Sequence, residues 1–280
     1  MGRYVHGIIG SDLFFRFVVE IDYATQTVVL HDRRKYEPDP EAIAIPIVIR
    51  QNLPYIDARL RISDKMEIKG AFLVDTGSST TVTLNAPFVK QHNLEDSIAD
   101  LKSSMSIGIG GELNTLSGKT ERMSIGPVSL MNVPVDLSFS ETGDVSSAER
   151  AGLIGYGILN RFRVTFDYTN LTMYLEKQKH FSEPFWDNFS GIALTATPPH
   201  FKEYRVYHVF KGSPAFVAGI RKGDKLVAVN GKPAEAYTLP EMQKAIYSKC
   251  ESIVQLEFKR SDRLFRRTMK FGPYAIIVTP

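Results

Sequence analysis

A segment that occurs twice constrains the fold of this chain more than any other feature of its sequence. Residues 7–23 align without gaps with residues 152–168, and Gly, Ile, Gly, Arg, Phe, Val, Asp and Tyr recur in register. In each copy, a glycine-bounded apolar run leads into a predicted helical turn, then into alternating apolar residues and an Asp-Tyr turn. A repeat of this kind predicts two related structural units.

The second copy closes a longer unit, which we place at residues 43–179. Short strand signals separated by Gly, Pro, Asn and Asp dominate this unit, so we predict an all-β structure with two short helices, one near residues 87–92. Nothing precedes the first copy, and residues 1–31 are therefore interpreted as the C-terminal tail of a truncated preceding unit of the same kind. Residues 32–42, which contain two prolines and a basic run, are predicted to be a linker.

Residues 186–273 are predicted to form a separate α+β domain. Asn230-Gly231 is a strong hairpin signal, and residues 239–249 carry apolar residues at helical spacing after an early proline. Two further strands are expected at residues 253–260 and 264–271. The basic residues of this last hairpin are interpreted as a solvated face: Lys259, Arg260, Arg263, Arg266, Arg267 and Lys270.

The composition argues against several function classes. With 43% hydrophobic and 23% charged residues the chain is typical of folded proteins, and its net charge of +3 is too small to indicate a nucleic-acid or membrane-surface partner. No apolar run is long enough for a membrane helix, and the N-terminus has no signal-peptide pattern. The six histidines lack metal-ligand spacing, and the single cysteine, Cys250, is interpreted as a small apolar helix residue. No metal and no cofactor is therefore expected.

Asp75 is the residue best placed to do chemistry. It follows the apolar run Phe72-Leu73-Val74 and precedes Thr76-Gly77. A carboxylate at the end of a buried strand must be hydrogen-bonded or paired, and two carboxylates that share one proton can activate water and polarise a substrate carbonyl. An Asx turn that follows a strand is the alternative interpretation of the bare tripeptide.

Two further segments favour the chemical interpretation. Residues 106–111 are a glycine-rich hairpin tip able to fold over a substrate, although an ordinary mobile turn has the same pattern. Leu153-Ile154-Gly155 is an apolar segment that we expect to thread against the Asp75 turn.

Together, residues 72–78, the glycine-rich tip and the run Gly152-Leu153-Ile154-Gly155 resemble the retropepsin-like aspartic peptidases, specifically bacterial proteins that combine such lobes with a C-terminal PDZ domain. The resemblance implies a mainly β protein, with a barrel-like acid protease lobe containing few short helices, followed by an α+β PDZ domain. Proteins of this kind are often exported, although the sequence itself leaves the location of this chain undetermined.

The resemblance also implies a set of site residues in the protease lobe. Asp75 is expected to be the catalytic aspartate, Thr76 to hydrogen-bond across to a mate lobe, and Gly77 and Ser78 to shape the turn. The expected flap contains Gly108, Ile109, Gly110 and Gly111, and the expected psi-loop contains Leu153, Ile154 and Gly155.

The PDZ resemblance rests on several separated motifs in order: Lys211-Gly212-Ser213-Pro214-Ala215, Ala218-Gly219-Ile220, Lys222-Gly223-Asp224 and Val229-Asn230-Gly231. It implies a loop whose backbone N–H groups capture the carboxylate of a peptide C-terminus, next to a strand edge that accepts the peptide by β-augmentation. The residues expected to form that loop are Ser190, Gly191, Ile192, Ala193 and Leu194.

Two functions are compatible with these patterns. The first is an aspartic endopeptidase in which the PDZ domain recognises a polypeptide substrate or a peptide C-terminus. The chain contains a single Asp-Thr-Gly, so the second acid is expected from another aspartic-protease lobe, in the same parent chain or in a homodimer mate, and the chain alone is expected to lack it. The second is a non-catalytic peptide-binding protein that uses the PDZ groove on a degenerate protease scaffold.

Overall fold

The computed structural model describes residues 6–108, 111–185, 187–247 and 251–272. The chain divides into two compact units: residues 7–99 and 104–185 form the first, and residues from 187 onward, with 100–103, form most of the second. Strands dominate both units, so the predicted mainly β fold is confirmed. No helix in the described ranges is long and apolar enough to cross a membrane.

From Asp12 to Lys177 the helices and strands follow in this order: α1 (Asp12–Arg16), β1 (Val18–Asp22), β2 (Thr27–His31), β3 (Ile43–Pro46), β4 (Val48–Arg50), β5 (Leu53–Ser63), β6 (Met66–Val74), β7 (Val82–Leu84), α2 (Ala86–Gln91), α3 (Leu94–Ser97), β8 (Lys102–Gly108), β9 (Gly111–Ile125), β10 (Val128–Ser138), β11 (Gly152–Ile154), α4 (Tyr156–Leu159), β12 (Phe162–Asp167) and β13 (Thr172–Lys177). The helix predicted near residues 87–92 is α2, and Pro87 lies in its first turn, where the missing N–H removes no hydrogen bond. The turn at residues 64–65 joins β6 to β5 as a hairpin.

An eight-stranded sheet with the order β4-β5-β6-β11-β7-β10-β9-β8 forms the larger part of the first unit. Because β5 pairs with both β6 and β9, the strands from β5 to β9 in this order close into a barrel. Its core contains fully buried apolar side chains from several strands, among them Leu60, Phe72, Leu84, Met123 and Leu137. This closed core is the scaffold on which the candidate active-site turn is mounted.

The two copies of the repeat pair with each other in a second, five-stranded sheet with the order β2-β1-β12-β13-β3. β1 and β12 are antiparallel, and Glu20 lies opposite Thr165, which is the equivalent position in the repeat. A local two-fold axis therefore passes between these two residues. The hairpin turns are also equivalent, since Asp22 accepts a hydrogen bond from the Thr25 N–H at 3.2 Å and Asp167 accepts one from the Asn170 N–H at 3.0 Å.

Equivalent apolar positions differ sharply in exposure between the two copies. Leu175 of β13 is 2% exposed, while its counterpart Leu30 of β2 is 44% exposed. Ile154 of β11 is 0% exposed, while its counterpart Ile9 is 77% exposed. In the second copy these positions are covered because β13 pairs with β3 and β11 lies inside the barrel sheet. In the first copy, β2 is an edge strand of the described sheet.

The second unit contains β14 (Ile192–Thr197), β15 (Glu203–Val209), α5 (Pro214–Val217), β16 (Lys225–Val229), β17 (Lys232–Pro233), α6 (Leu239–Tyr247), β18 (Ile253–Arg260) and β19 (Arg263–Lys270). Its strands follow the order β14-β15-β16-β18-β19, with β17 paired to β16. The Asn230-Gly231 turn joins β16 to β17 with positive φ angles of 50° and 81°, as the hairpin signal predicted.

One residue of the basic cluster in this unit, Arg260, pairs with a buried acid, although its own side chain is 37% exposed. The Arg260 guanidinium donates to both carboxylate oxygens of Asp224, at 2.7 and 2.8 Å, and Asp224 is buried. The Arg221 N–H also donates to Asp224 at 2.8 Å. The Arg260 side chain thus has a role beyond that of a solvated surface residue, because a buried carboxylate requires a paired cation and hydrogen-bond donors.

The difference in exposure between the two copies predicts unequal effects of the same substitution. We expect Leu175→Ala to lower the free energy of unfolding of the first unit by about 2–5 kcal/mol, because it leaves a cavity in a packed sheet. Leu30→Ala removes the same atoms from an exposed position and should change that free energy by less than about 0.5 kcal/mol. Hydrogen exchange of barrel peptides measured across a urea series checks both values, and equal losses would contradict the assignment of β2 as an open edge.

Candidate active site and candidate peptide-binding edge

Asp75 follows directly on β6, at the point where this strand leaves the barrel sheet. The preceding residues, Leu73 and Val74, are buried, while Asp75 itself is half-buried. Its backbone N–H donates to the Ile154 carbonyl at 2.9 Å, and its Oδ1 accepts a hydrogen bond from the Gly77 N–H at 2.9 Å. The backbone of the acid is thus fixed by the neighbouring strand, while the carboxylate remains accessible to a reacting group.

A short polar network holds the turn that follows Asp75. Ser78 Oγ lies 2.9 Å from Thr80 Oγ1, and the Thr83 hydroxyl donates to Thr80 Oγ1 at 3.2 Å. The Ser78 carbonyl accepts a hydrogen bond from the Tyr156 N–H at 2.9 Å. These bonds connect the turn to the start of α4, so the turn is held on both sides.

The structure brings the three predicted psi-loop residues against this turn. Leu153 and Ile154 belong to β11, which runs parallel to β6 and antiparallel to β7 and lies between them. Gly155 comes next, and a Cβ atom there would lie 2.6 Å from the Thr80 carbonyl oxygen and 2.9 Å from that of Ser78. Only glycine allows this approach without displacing the Ser78–Thr80 backbone.

The structure describes only some of the other residues predicted for this site. Gly108 ends β8 and Gly111 begins β9, but Ile109 and Gly110 lie outside the described residues. The Thr76 side chain is exposed and makes no hydrogen bond to any residue that the structure describes. Its hydroxyl is therefore available to a group outside the described lobe.

Tyr23 of the first repeat copy lies in the same region, and the sequence patterns did not single it out for the site. Its ring centroid is 5.5 Å from that of Tyr156 in an edge-to-face arrangement. Burial, together with the nearby Tyr156 and Asp75, raises the pKa of Tyr23 to about 12, so the phenol is neutral at physiological pH. Its hydroxyl is buried and has no hydrogen-bond partner among the described residues. From the repeat, in which Tyr23 matches Tyr168, Tyr23 was predicted only to be part of a turn.

The candidate peptide-binding edge is β14, the first strand of the second unit. It lies at one edge of the described sheet, with α6 packed beside it. Gly191, just before the strand, has a φ of +73°, and a Cβ atom there would lie 2.0 Å from Cβ of Ser213. Ser190 and Ile192 are buried, while Ala193 and Leu194 are partly exposed. The predicted loop residues are therefore adjacent to an open strand edge.

Asn188, which the sequence patterns also missed, organises this loop. Its Oδ1 accepts hydrogen bonds from the Gly191 N–H at 2.9 Å and from the Ser190 hydroxyl at 2.8 Å. Its Nδ2 donates to the Ile192 carbonyl at 3.0 Å, and the Ile192 N–H donates to Ser190 Oγ at 3.1 Å. An asparagine three residues before a glycine is the one sequence signal for such a turn.

The family profiles match both units. The profile described as aspartyl protease matches residues 58–158, and the profile described as PDZ domain matches residues 205–260. The resemblance inferred from the sequence, to a retropepsin-like aspartyl protease with a C-terminal PDZ domain, is therefore confirmed. A search of curated proteins found no match.

Several solved structures are similar to parts of the chain. The photosystem II D1 C-terminal processing protease matches with 21% identity and a TM-score of 0.29, over 31% of this chain and 23% of that one. A retropepsin-like aspartic protease from Rickettsia conorii matches with 17% identity and a TM-score of 0.33, over 50% of this chain and 95% of that one. The HtrA3 PDZ domain bound to a phage-derived ligand matches with 27% identity and a TM-score of 0.24, over 30% and 81%. This chain thus spans about a quarter of the length of the processing protease.

The tight approach at Gly155 predicts a local effect that its counterpart in the repeat does not share. We expect Gly155→Ala to cost about 1–3 kcal/mol in stability of the first unit and to speed hydrogen exchange of the Tyr156 and Gly157 amides. Gly10 is the equivalent glycine of the first copy, and a Cβ atom there meets nothing within 4 Å. Gly10→Ala should therefore leave both quantities unchanged in this chain. NMR-detected exchange makes the comparison, and matching effects would contradict it.

Proposed function

We propose that this chain supplies one catalytic lobe of an aspartic endopeptidase, with Asp75 as one of its two acids. The observation that carries the proposal is the Asp75 turn itself, in which β11 fixes the backbone while the carboxylate stays accessible. A carboxylate held in this way can share a proton with a second one. The ionised acid then takes a proton from water, which attacks the carbonyl carbon, while the protonated acid polarises the carbonyl oxygen.

The remaining site residues have supporting roles in this proposal. Gly77 donates its N–H to the carboxylate, and Ser78 joins the turn to α4. Thr76 hydrogen-bonds across to the mate lobe through its exposed hydroxyl. The hairpin tip that contains Gly108, Ile109, Gly110 and Gly111 covers the bound substrate, and Leu153, Ile154 and Gly155 keep the acid in place.

We further propose that the second acid comes from a similar lobe docked on the first copy of the repeat. Since the two copies are related by a local two-fold axis, a lobe covering the first copy as the barrel covers the second would bring its own acid turn to Ile9. The Ile9 carbonyl would then accept the N–H of that acid, as the Ile154 carbonyl accepts that of Asp75. The exposure of Ile8 and Ile9, at 76% and 77%, supports this placement. The mate lobe is supplied by the same parent chain or by a second copy.

The PDZ unit is proposed to hold the polypeptide substrate by strand addition along β14. The backbone N–H and C=O groups on the outer edge of an edge strand are free to pair with another extended chain. Partly buried apolar side chains border this edge, among them Leu194 of β14 and Leu239 and Tyr247 of α6. The unit would thus raise the local concentration of substrate near the protease lobe.

Replacement of the acid tests the proposed chemistry. We expect Asp75→Asn to reduce cleavage of a labelled, unfolded polypeptide by at least about 10²-fold, because the variant can no longer take a proton from water. Asp57→Asn is the matched control, since Asp57 is an exposed residue paired with Lys69 on the barrel surface. Cleavage is followed at rising protein concentration, because two acids supplied by two copies give a second-order dependence. Undiminished cleavage by Asp75→Asn would remove Asp75 from the mechanism. Cleavage by the unaltered chain, lost in Asp75→Asn and kept in Asp57→Asn, would exclude the peptide-binding alternative.

A charge placed on the first copy tests the proposed docking of the mate lobe. We expect Ile9→Lys to abolish cleavage and association while leaving the chain folded, because Ile9 is exposed in the chain alone and buried in the proposed assembly. Met131→Lys is the control, since Met131 is 59% exposed on the barrel strand β10, away from the repeat. Sedimentation velocity and the cleavage assay measure the outcome. An unchanged assembly in Ile9→Lys would argue against the first copy as the docking site.

A further inference from the structure

Two of the backbone donors expected to capture a peptide carboxylate, the N–H groups of Gly191 and Ile192, are already bonded inside the second unit. The Gly191 N–H donates to Asn188 Oδ1 at 2.9 Å, and the Ile192 N–H donates to Ser190 Oγ at 3.1 Å. The Ser190 hydroxyl in turn donates to Asn188 Oδ1 at 2.8 Å. The Asn188 amide oxygen and the Ser190 hydroxyl oxygen are therefore the acceptors for these two N–H groups, in the role that the oxygens of a terminal carboxylate would otherwise have.

Several other bonds hold this arrangement in place. Asn188 Nδ2 donates to the Ile192 carbonyl at 3.0 Å, which fixes the amide group at both ends. The Ser190 carbonyl accepts the Ala215 N–H at 3.1 Å, and the Gly191 carbonyl accepts the Phe210 N–H at 3.0 Å. Ser190 is fully buried, so displacement of the Asn188 side chain would leave buried polar groups without partners.

This geometry gives a free chain end little advantage over the middle of a chain. An incoming carboxylate would have to replace an acceptor that is already present, and the exchange of one acceptor for another gives a small net gain. The outer edge of β14 beyond the loop remains open and pairs equally well with any extended backbone. An internal segment that continues past the loop also avoids bringing a negative charge to donors that are already satisfied.

We propose that Asn188 and Ser190 form a built-in cap, and that this unit therefore binds internal segments of extended polypeptide without selecting for a free C-terminus. The proposal rests on the proposed function of this unit in polypeptide recognition and adds the class of ligand. Asn188 is the specificity-determining residue. Such a preference suits an enzyme that cuts within unfolded chains, whose ends are few compared with their internal segments.

Peptide pairs that differ only at the C-terminus provide the test. The full chain is screened against a fluorescent library of eight-residue peptides with varied apolar positions. The tightest binders are then measured by fluorescence anisotropy as the free acid, the carboxamide and a form extended by four residues. We expect the Kd values of the three forms to agree within about twofold. A free acid that binds at least tenfold more tightly than its amide would overturn the inference while leaving polypeptide recognition intact.

Substitution of the cap extends the test. In Asn188→Ala the Gly191 N–H is released, and the free acid should gain about tenfold over the amide, because hydrogen bonds to charged groups are the stronger ones. Asn230→Ala is the matched control, since Asn230 Oδ1 accepts the Gln255 N–H at 2.8 Å in another turn of the same unit. The control should leave the ratio of the two Kd values near one. A ratio near one in Asn188→Ala as well would overturn the role of Asn188.

Hydrogen exchange in the absence of peptide tests whether the cap exists, independently of any peptide binding. In the peptide-free chain, NMR-detected hydrogen exchange of the Gly191 amide should be slow, and it should become faster in Asn188→Ala. Rapid exchange in the unaltered chain would overturn the cap. If no form of any peptide binds, both the proposed recognition and this inference fail, whereas selective binding of free acids removes this inference alone.

Discussion

The candidate active site depends on the insertion of β11 between β6 and β7. This insertion provides the Ile154 carbonyl as the acceptor for the Asp75 N–H, at 2.9 Å, and so fixes the backbone of the acid. It is possible only because the segment around β11 has glycines at close contacts. A Cβ atom at Gly152 would lie 2.0 Å from the Thr83 carbonyl oxygen, and one at Gly155 would lie 2.6 Å from that of Thr80. At the equivalent glycines of the first copy, Gly7 and Gly10, an added Cβ atom would meet nothing within 4 Å, so the described residues do not require glycine there.

Patterns among residues that are close in sequence made much of the architecture predictable. Period-two alternation and turn residues indicated the strands of the repeat, and the Asp-Thr-Gly after an apolar run indicated an acid at a strand end. The closure of the barrel through β5 and β9 could not be predicted in this way, because local sequence does not determine which distant strands pair. The pair between Asp224 and Arg260, which are 36 residues apart, was missed for the same reason. Arginine is typical of protein surfaces, and only the pairing of the strands in the sheet brings Arg260 next to Asp224.

The residues missed at the two candidate sites illustrate a second limit. Tyr23 reaches the surroundings of Asp75 only because β1 pairs with β12, and this pairing brings a turn of the first copy next to α4. Asn188 acts through a loop whose shape requires a positive φ at Gly191 and the close approach of Ser213. Motifs describe which residue types a site needs. Motifs do not show whether a neighbouring side chain already forms the hydrogen bonds that a ligand would need.

The pairing of the two copies also bears on the source of the mate lobe. In this chain β1 already pairs with the outer edge of β12, so that edge is not open to a second lobe. The contact between β1 and β12 is also asymmetric. Arg163 of β12 lies opposite Asp22, and its guanidinium reaches Glu176 at 3.1 Å. The position equivalent to Arg163 in the first copy is Val18, which cannot form such ion pairs. The two copies are thus complementary and not interchangeable. In the described sheet β2 and β3 are the two edges, and β2, which belongs to the first copy, is the edge nearer to the proposed docking site of the mate lobe.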